Sequence, residues 1–149
     1  MGFRYLLDEG CDYIFMIEDD CIIKDHAIFA KYIESSKVTG IQHFNFGPGS
    51  PWNRKQDDTS LKGDLSKRML AKQSGVPTPR LKVQYDKDNK VCVCLYEHVV
   101  GMLSFFTRKG LEEVGLYDED FYNAWEHVEH THRFINKELT TPFWYFADI

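Results

Sequence analysis

Tyr13-Ile14-Phe15-Met16-Ile17-Glu18-Asp19-Asp20-Cys21-Ile22-Ile23 is the stretch that decides the fold. A five-residue apolar run, Tyr13 to Ile17, stops at three acids, and apolar residues resume at Cys21. A run this short, aromatic and β-branched, with Gly10 just upstream, reads as a buried strand. Buried carboxylates are unfavourable unless paired or bound to a cation, so Glu18, Asp19 and Asp20 belong at the strand's exposed C-terminal end. In open α/β sheets that end is where ligands bind. Hard oxygen donors suit Mg²⁺ or Mn²⁺ and, through the metal, a diphosphate. The plainer reading is a solvated turn into a helix, with Asp25 as its N-cap.

The pattern around this strand extends the argument. Residues 2 to 9 put Phe3, Leu6 and Leu7 on one helical face, and Gly10 suits the position after a helix. Asp25 can cap a helix over roughly residues 26 to 36, with Ile28, Phe29, Tyr32 and Ile33 on its apolar side. Helix, strand and helix in succession predict an α/β fold with a mixed, mostly parallel sheet and flanking helices. Residues 40 to 46 read as the next strand, and 65 to 74 as a short helix.

Leu81 to Tyr85 and Val91 to Tyr96 alternate on either side of an Asp- and Asn-rich turn, the pattern of a β-hairpin. Residues 99 to 106 form another apolar strand, interrupted by Gly101. Thr107 then caps a short helix that Gly115 closes.

Composition narrows the function. At 149 residues the chain is the size of one domain, and 43% hydrophobic with 15% aromatic content supports a core. A net charge of −5 without a basic cluster argues against nucleic acid as a partner. No apolar run has the length of a membrane span. Cys11, Cys21, Cys92 and Cys94 lack metal-ligand spacing and read as packed, reduced thiols. The expected setting is cytoplasmic, or peripheral to the inner face of a membrane.

A second constellation lies at residues 115 to 136. Asn123 with Glu126 looks like a capping box. On the helix that follows, Glu126, Glu129, His130 and Arg133 share one face, with His127 beside them in the first turn. A histidine and a carboxylate at a helix start suit proton transfer or metal ligation. The bland reading is a solvated face with an Arg133–Glu129 pair. Trp125 fits either a core anchor or a wall for a sugar ring. His43 and His98 read as packed histidines, and His132 as a surface residue.

Taken together, the two constellations resemble the GT-A glycosyltransferases, above all the family-2-like nucleotide-sugar transferases. Glu18-Asp19-Asp20 is similar to that family's DxD motif. Gly115-Leu116-Tyr117-Asp118-Glu119-Asp120-Phe121 resembles its G-x-(F/Y)-D-E-x-F segment. Trp125-Glu126-His127-Val128-Glu129 through Arg133 resembles its W-x-x-E-D-x-D-x-x-x-R helix. The resemblance implies metal-dependent transfer of a sugar from a nucleotide-sugar, a UDP-sugar above all, to a glycan or other acceptor.

It assigns Asp20, with Glu18, to Mn²⁺ or Mg²⁺, and Glu18, Asp19 and Asp20 together to the donor. Glu126 and His127 take the catalytic positions, and Trp125, Glu129 and Arg133 contact substrate. It also implies a GT-A fold lacking its N-terminal strands, 1–149 being a single domain truncated at its front, with self-association through an exposed sheet edge. Inverting members carry Asp where this chain has His127, and related retaining enzymes carry Asn, so the stereochemical course is not carried over. The alternatives are a non-catalytic remnant that binds a glycan or partner, and a metal-dependent phosphotransferase or hydrolase using the same acids.

Overall fold

A computed structural model describes residues 2–54, 75–85, 91–121, 125–141 and 145–149. The elements in chain order are α1 (Gly2–Asp8), β1 (Tyr13–Ile17), α2 (Ala27–Thr39), β2 (His43–Asn45), a 3₁₀ turn (Pro51–Asn53), β3 (Leu81–Tyr85), β4 (Val91–Tyr96), β5 (Leu103–Thr107), α3 (Arg108–Val114), α4 (Glu126–Asn136) and β6 (Phe146–Asp148). The expected helix at 65 to 74, the turn at 86 to 90 and the Asn123 cap lie outside the described residues.

The strands form two three-stranded sheets, ordered β1-β5-β2 and β3-β4-β6. Among the described residues every pairing is antiparallel. This overturns the expected GT-A-type α/β arrangement with a mixed, mostly parallel sheet. The physical reason lies in β5. Helix α2 does carry the chain from β1 to a β2 running the same way, but the two strands are not neighbours. β5 lies between them, antiparallel to both, with Phe15 opposite Phe105 and Phe44 opposite Phe105 on its other side.

The continuous apolar run that pointed to a parallel strand has the same origin. Both faces of the β1-β5-β2 sheet are covered, and coverage on both faces sets the composition whatever the strand direction. Side chains alternate between the faces with period two. On one face Tyr32, Phe44, Leu103 and Phe105 join Val93, Leu95 and Ala147 of the second sheet, with Phe15, Ile17, Ile28 and Ile33 packed alongside. On the other, Ile14, Phe106, Leu111 and Phe134 meet Phe3, Leu6 and Leu7 of α1 and Tyr117. β5 is buried along its whole length, whereas β1 lies at an edge of its sheet.

Local signals account for the ends of the elements. Gly10 and Gly40 end α1 and α2 at φ +85° and +76°, a region that side chains disfavour. The expected Asp25 cap is displaced by one residue: His26 holds the cap position of α2 with no side-chain hydrogen bond, and the Asp25 carboxylate just before it accepts from the Ala27 amide at 2.9 Å. The Thr107 hydroxyl accepts from Gly110 N at 3.0 Å and starts α3. Gly110 is where α3 meets α4: a Cβ there would stand 2.6 Å from the Phe134 ring.

The two sheets are tied together by a buried carboxylate. Asp148, 2% exposed, accepts from Tyr32 Oη at 2.5 Å, from Ile149 N at 2.9 Å and from Gly47 N at 3.2 Å. Burial pushes its pKa up to about 7, against three donors that favour the ionised form. Buried His43 and His130 move the other way, to about 3 and about 4, because burial disfavours the imidazolium.

The signs oppose. Asp148 keeps its proton in the folded state while the unfolded chain loses it, so its contribution falls as pH rises from about 4 to about 7. The histidines stay neutral when folded while the unfolded chain takes protons, so theirs falls as pH drops below about 6.5. Two histidine protons set against one on Asp148 leave a net rise in wild-type stability of up to about 1.4 kcal/mol per pH unit between about pH 4 and 6.5, to be read from denaturant melts. Asp148→Asn removes the opposing proton and should steepen that slope to as much as about twice the wild-type value. Equal slopes in the two proteins would show that Asp148 stays ionised throughout.

Candidate functional site

The acids Glu18, Asp19 and Asp20 emerge from the end of β1 and are exposed. They sit on a turn closed by Cys21 N donating to Glu18 O at 3.2 Å, and Glu18 N holds Met102 O at 3.1 Å. The turn is thereby fastened to the segment that leads into β5. Asp20 and Cys21 form part of the wall of a cleft of about 500 Å³, otherwise largely apolar, with Ile17, Ile28, Tyr32 and Phe46 around it. Its volume falls in the range of small-molecule sites. Burial and the neighbouring Asp20 and Glu18 push the Cys21 thiol's pKa up, so it stays protonated.

Helix α4 brings its first turn to the same place, and Gly101 records the approach. A Cβ built on Gly101 would lie 3.2 Å from Glu18 Oε1 and 3.2 Å from His127 Nδ1. The carboxylate of the acidic turn and the imidazole of the helix start therefore flank one glycine, no further apart than twice that distance. His127 Nδ1 also lies 3.2 Å from Glu126 Oε1, which makes Nδ1 the donor and leaves the Nε2 lone pair available. Glu126 Oε2 is buried with no hydrogen-bond partner among the described residues. Burial, then the nearby Glu126 carboxylate, raises the pKa of the Tyr117 hydroxyl, which donates to Met16 Sδ at 3.4 Å.

The helix start is held in position from beneath. His43 Nδ1 donates to Phe105 O at 2.8 Å, and its Nε2 lies 2.8 Å from Thr131 Oγ1. Thr131 Oγ1 also lies 3.1 Å from Asn45 Oδ1 and 2.7 Å from the His127 carbonyl, and its single hydrogen serves one of these three acceptors at a time. His43, Asn45 and Thr131 are buried, so α4 is packed onto β2 and β5 next to the turn carrying His127.

Glu129 and Arg133, expected to contact substrate, are engaged with the protein itself. Arg133 Nε lies 2.8 Å from Glu129 Oε1, and its Nη1 and Nη2 donate to Val114 O and Leu116 O at 3.1 and 2.8 Å. With His130 Nε2 donating to Gly115 O at 2.7 Å, the helix grips three consecutive carbonyls. These contacts hold the Gly115–Phe121 segment to α4. Trp125 is 68% exposed and has φ +68°, an uncommon backbone for a large side chain. With Phe121 and Val128 it lines a surface hollow of about 390 Å³. His43 is buried as expected, whereas His98 is exposed and lies beyond the end of β4. All four cysteines are free thiols.

No family model, curated protein or solved structure matches the chain.

Among the described residues, no three His, Cys, Asp or Glu side chains converge to hold a metal ion, so the acidic turn is not an all-protein cage. Exposed carboxylates at a strand end fit the other mode of Mg²⁺ and Mn²⁺ binding, in which one or two carboxylates share the ion with water and phosphate. No helix among the described residues is long and apolar enough to cross a membrane.

Gly101 is the site residue that the motifs did not single out. Gly101 had a signal: a lone glycine inside an apolar strand pattern marks a bulge or a close approach.

Proposed function

We propose that this chain transfers a sugar from a nucleotide-sugar donor, a UDP-sugar, to a hydroxyl of a glycan acceptor. The observation that carries the reading is the meeting of Glu18 and His127 across Gly101. It joins the two motifs that resemble those of nucleotide-sugar transferases, which are far apart in sequence.

In this reading the cleft beside Asp20 takes the apolar parts of the donor's nucleoside. Asp20, with Glu18, would hold Mn²⁺ or Mg²⁺, which when bound would supply charge neutralisation at the nucleoside diphosphate leaving group. Glu126 accepts the His127 Nδ1 hydrogen and fixes the tautomer. His127 Nε2 takes the acceptor's hydroxyl proton as the acceptor oxygen bonds to the anomeric carbon. The bond from that carbon to the diphosphate oxygen breaks, and its electron pair leaves with the nucleotide. Asp19, next to both ligands, faces the donor from the same turn.

The binding step is tested with Mn²⁺, UDP and the full chain. Paramagnetic broadening of UDP by Mn²⁺ should be strengthened by the protein, and Asp20→Ala should weaken the ternary complex by at least about tenfold, an effect of about 1.4 kcal/mol. Equal affinity in the variant would remove Asp20 from the metal site.

A further inference from the structure

A second cleft, on the face built by the β3–β4 hairpin, has a chemistry that the transfer site leaves unused. It encloses about 310 Å³ and is lined by Trp52, Asn53, Arg54, Thr78, Arg80 and Glu97. Its frame is backbone. Thr78 N donates to Asn53 O at 2.7 Å, Arg80 N donates to Leu95 O at 2.7 Å, and residue 54 bridges to Pro77. Asn53 is committed to that frame: Nδ2 donates to Gly47 O and to His98 O, both at 2.6 Å, and Oδ1 accepts from His98 N at 3.3 Å. The turn bearing Trp52 is thus locked to the segment after β4.

Two features of the cleft are open to solvent. Trp52 leaves 58% of its surface exposed, its ring 6.2 Å from that of His98. Arg80 Nε lies 2.7 Å from Glu97 Oε1, with both side chains well exposed. The pair therefore presents remaining guanidinium donors beside a remaining carboxylate acceptor, with the charges cancelled. An indole face next to the donors and acceptors of this neutral pair matches a neutral saccharide, and Arg54 adds a further guanidinium to the lining. The saccharide's C–H face lies on an aromatic ring, and its vicinal hydroxyls both donate and accept. An anion would meet Glu97 and a cation Arg80.

We propose that the Trp52–Arg80–Glu97 cleft binds a neutral saccharide and serves as the remote subsite for the glycan acceptor. The assignment to the acceptor rests on the transfer reading above; the saccharide chemistry rests on the cleft alone. The connection is short. Glu97 lines the cleft, His98 packs on Trp52, and Gly101 lies between Glu18 and His127. At 3.3–3.6 Å per residue, four residues span at most about 14 Å, so one short oligosaccharide can reach from the cleft to His127.

The test uses the ¹⁵N-labelled full chain with cellotetraose, maltotetraose and chitotetraose at millimolar concentration, without metal or nucleotide. The Trp52 indole signal, identified by its loss in Trp52→Ala, should shift saturably with at least one of the three. In Arg80→Gln, whose exposed side chain leaves the fold intact, the dissociation constant should rise about tenfold, an amount typical of one lost charge-assisted contact. No shift with any tetrasaccharide overturns the proposal, as does unchanged affinity in Arg80→Gln. Preference of the cleft for a sulfated heparin tetrasaccharide or an acidic peptide overturns it as well. The outcome is independent of the Mn²⁺·UDP measurement. A responsive Trp52 together with an indifferent Asp20→Ala would keep the cleft and remove Asp20 from the metal site; an unresponsive Trp52 with a weakened Asp20→Ala would keep Asp20 there and overturn the cleft.

Discussion

His127→Ala should lower turnover by about 10²–10⁴-fold, the range for loss of a positioned general base, while leaving the affinity for Mn²⁺·UDP within about twofold. The reason is geometric. His127 touches neither Asp20 nor the apolar cleft, and its free Nε2 is the atom that would receive the acceptor proton. Glu126→Gln should lose a comparable factor, because an amide nitrogen facing Nδ1 favours the other tautomer and occupies Nε2 with a hydrogen. Gly101→Val gives a third reading of the same contact. Its side chain would enter the gap where a bare Cβ already stands 3.2 Å from both Glu18 Oε1 and His127 Nδ1. Release of UDP from a UDP-sugar in the presence of acceptor measures all three. Wild-type turnover in His127→Ala would refute the base assignment.

Phe105→Ala should destabilise the fold by about 3–5 kcal/mol, read as a lowered denaturant midpoint with an unchanged slope. Phe105 is fully buried at the centre of the middle strand. Its ring lies 5.0 Å from Phe15, 6.0 Å from Tyr32 and 6.0 Å from Phe44, which belong to three different elements. A void there cannot be filled by one neighbour moving, because each is pinned by its own element. Ile22→Ala is the contrast: Ile22 is 84% exposed, and its truncation should stay within about 0.5 kcal/mol. A loss below about 1 kcal/mol in Phe105→Ala would show that the aromatic cluster collapses around the gap.

Where local chemistry decides an element, the sequence was readable. The span of β1, the two arms of the hairpin, the Thr107 cap and the Gly10 stop each follow from neighbouring residues, and each is found. Strand direction did not follow. A strand–helix–strand pattern says which way the next strand runs, yet not what lies beside it, and the neighbour of β1 is a strand near the other end of the chain. β6 was missed for the same reason: three residues, Phe146 to Asp148, carry no periodicity, and they form a strand only because β4 offers them an edge.

The site divides along the same line. The two motifs were visible as chemistry, whereas their meeting at Gly101 depended on β5 and α4 docking on the same sheet. Arg133 shows what spacing alone leaves open. A helix face of charges looks alike whether it points to a ligand or to three carbonyls of its own chain.

The pairing of Tyr13 with Thr107 has a consequence for the protein's birth. At roughly 5–20 residues per second a ribosome needs on the order of ten seconds to travel from one partner to the other. Through that interval the nascent Tyr13–Ile17 segment is a bare apolar strand with no mate inside its own chain. Closing so distant a contact is slow, and chains dominated by such contacts fold in milliseconds to seconds. The exposed acidic triplet Glu18–Asp20, directly behind that strand, stands where charged residues flank an apolar segment that would otherwise favour association.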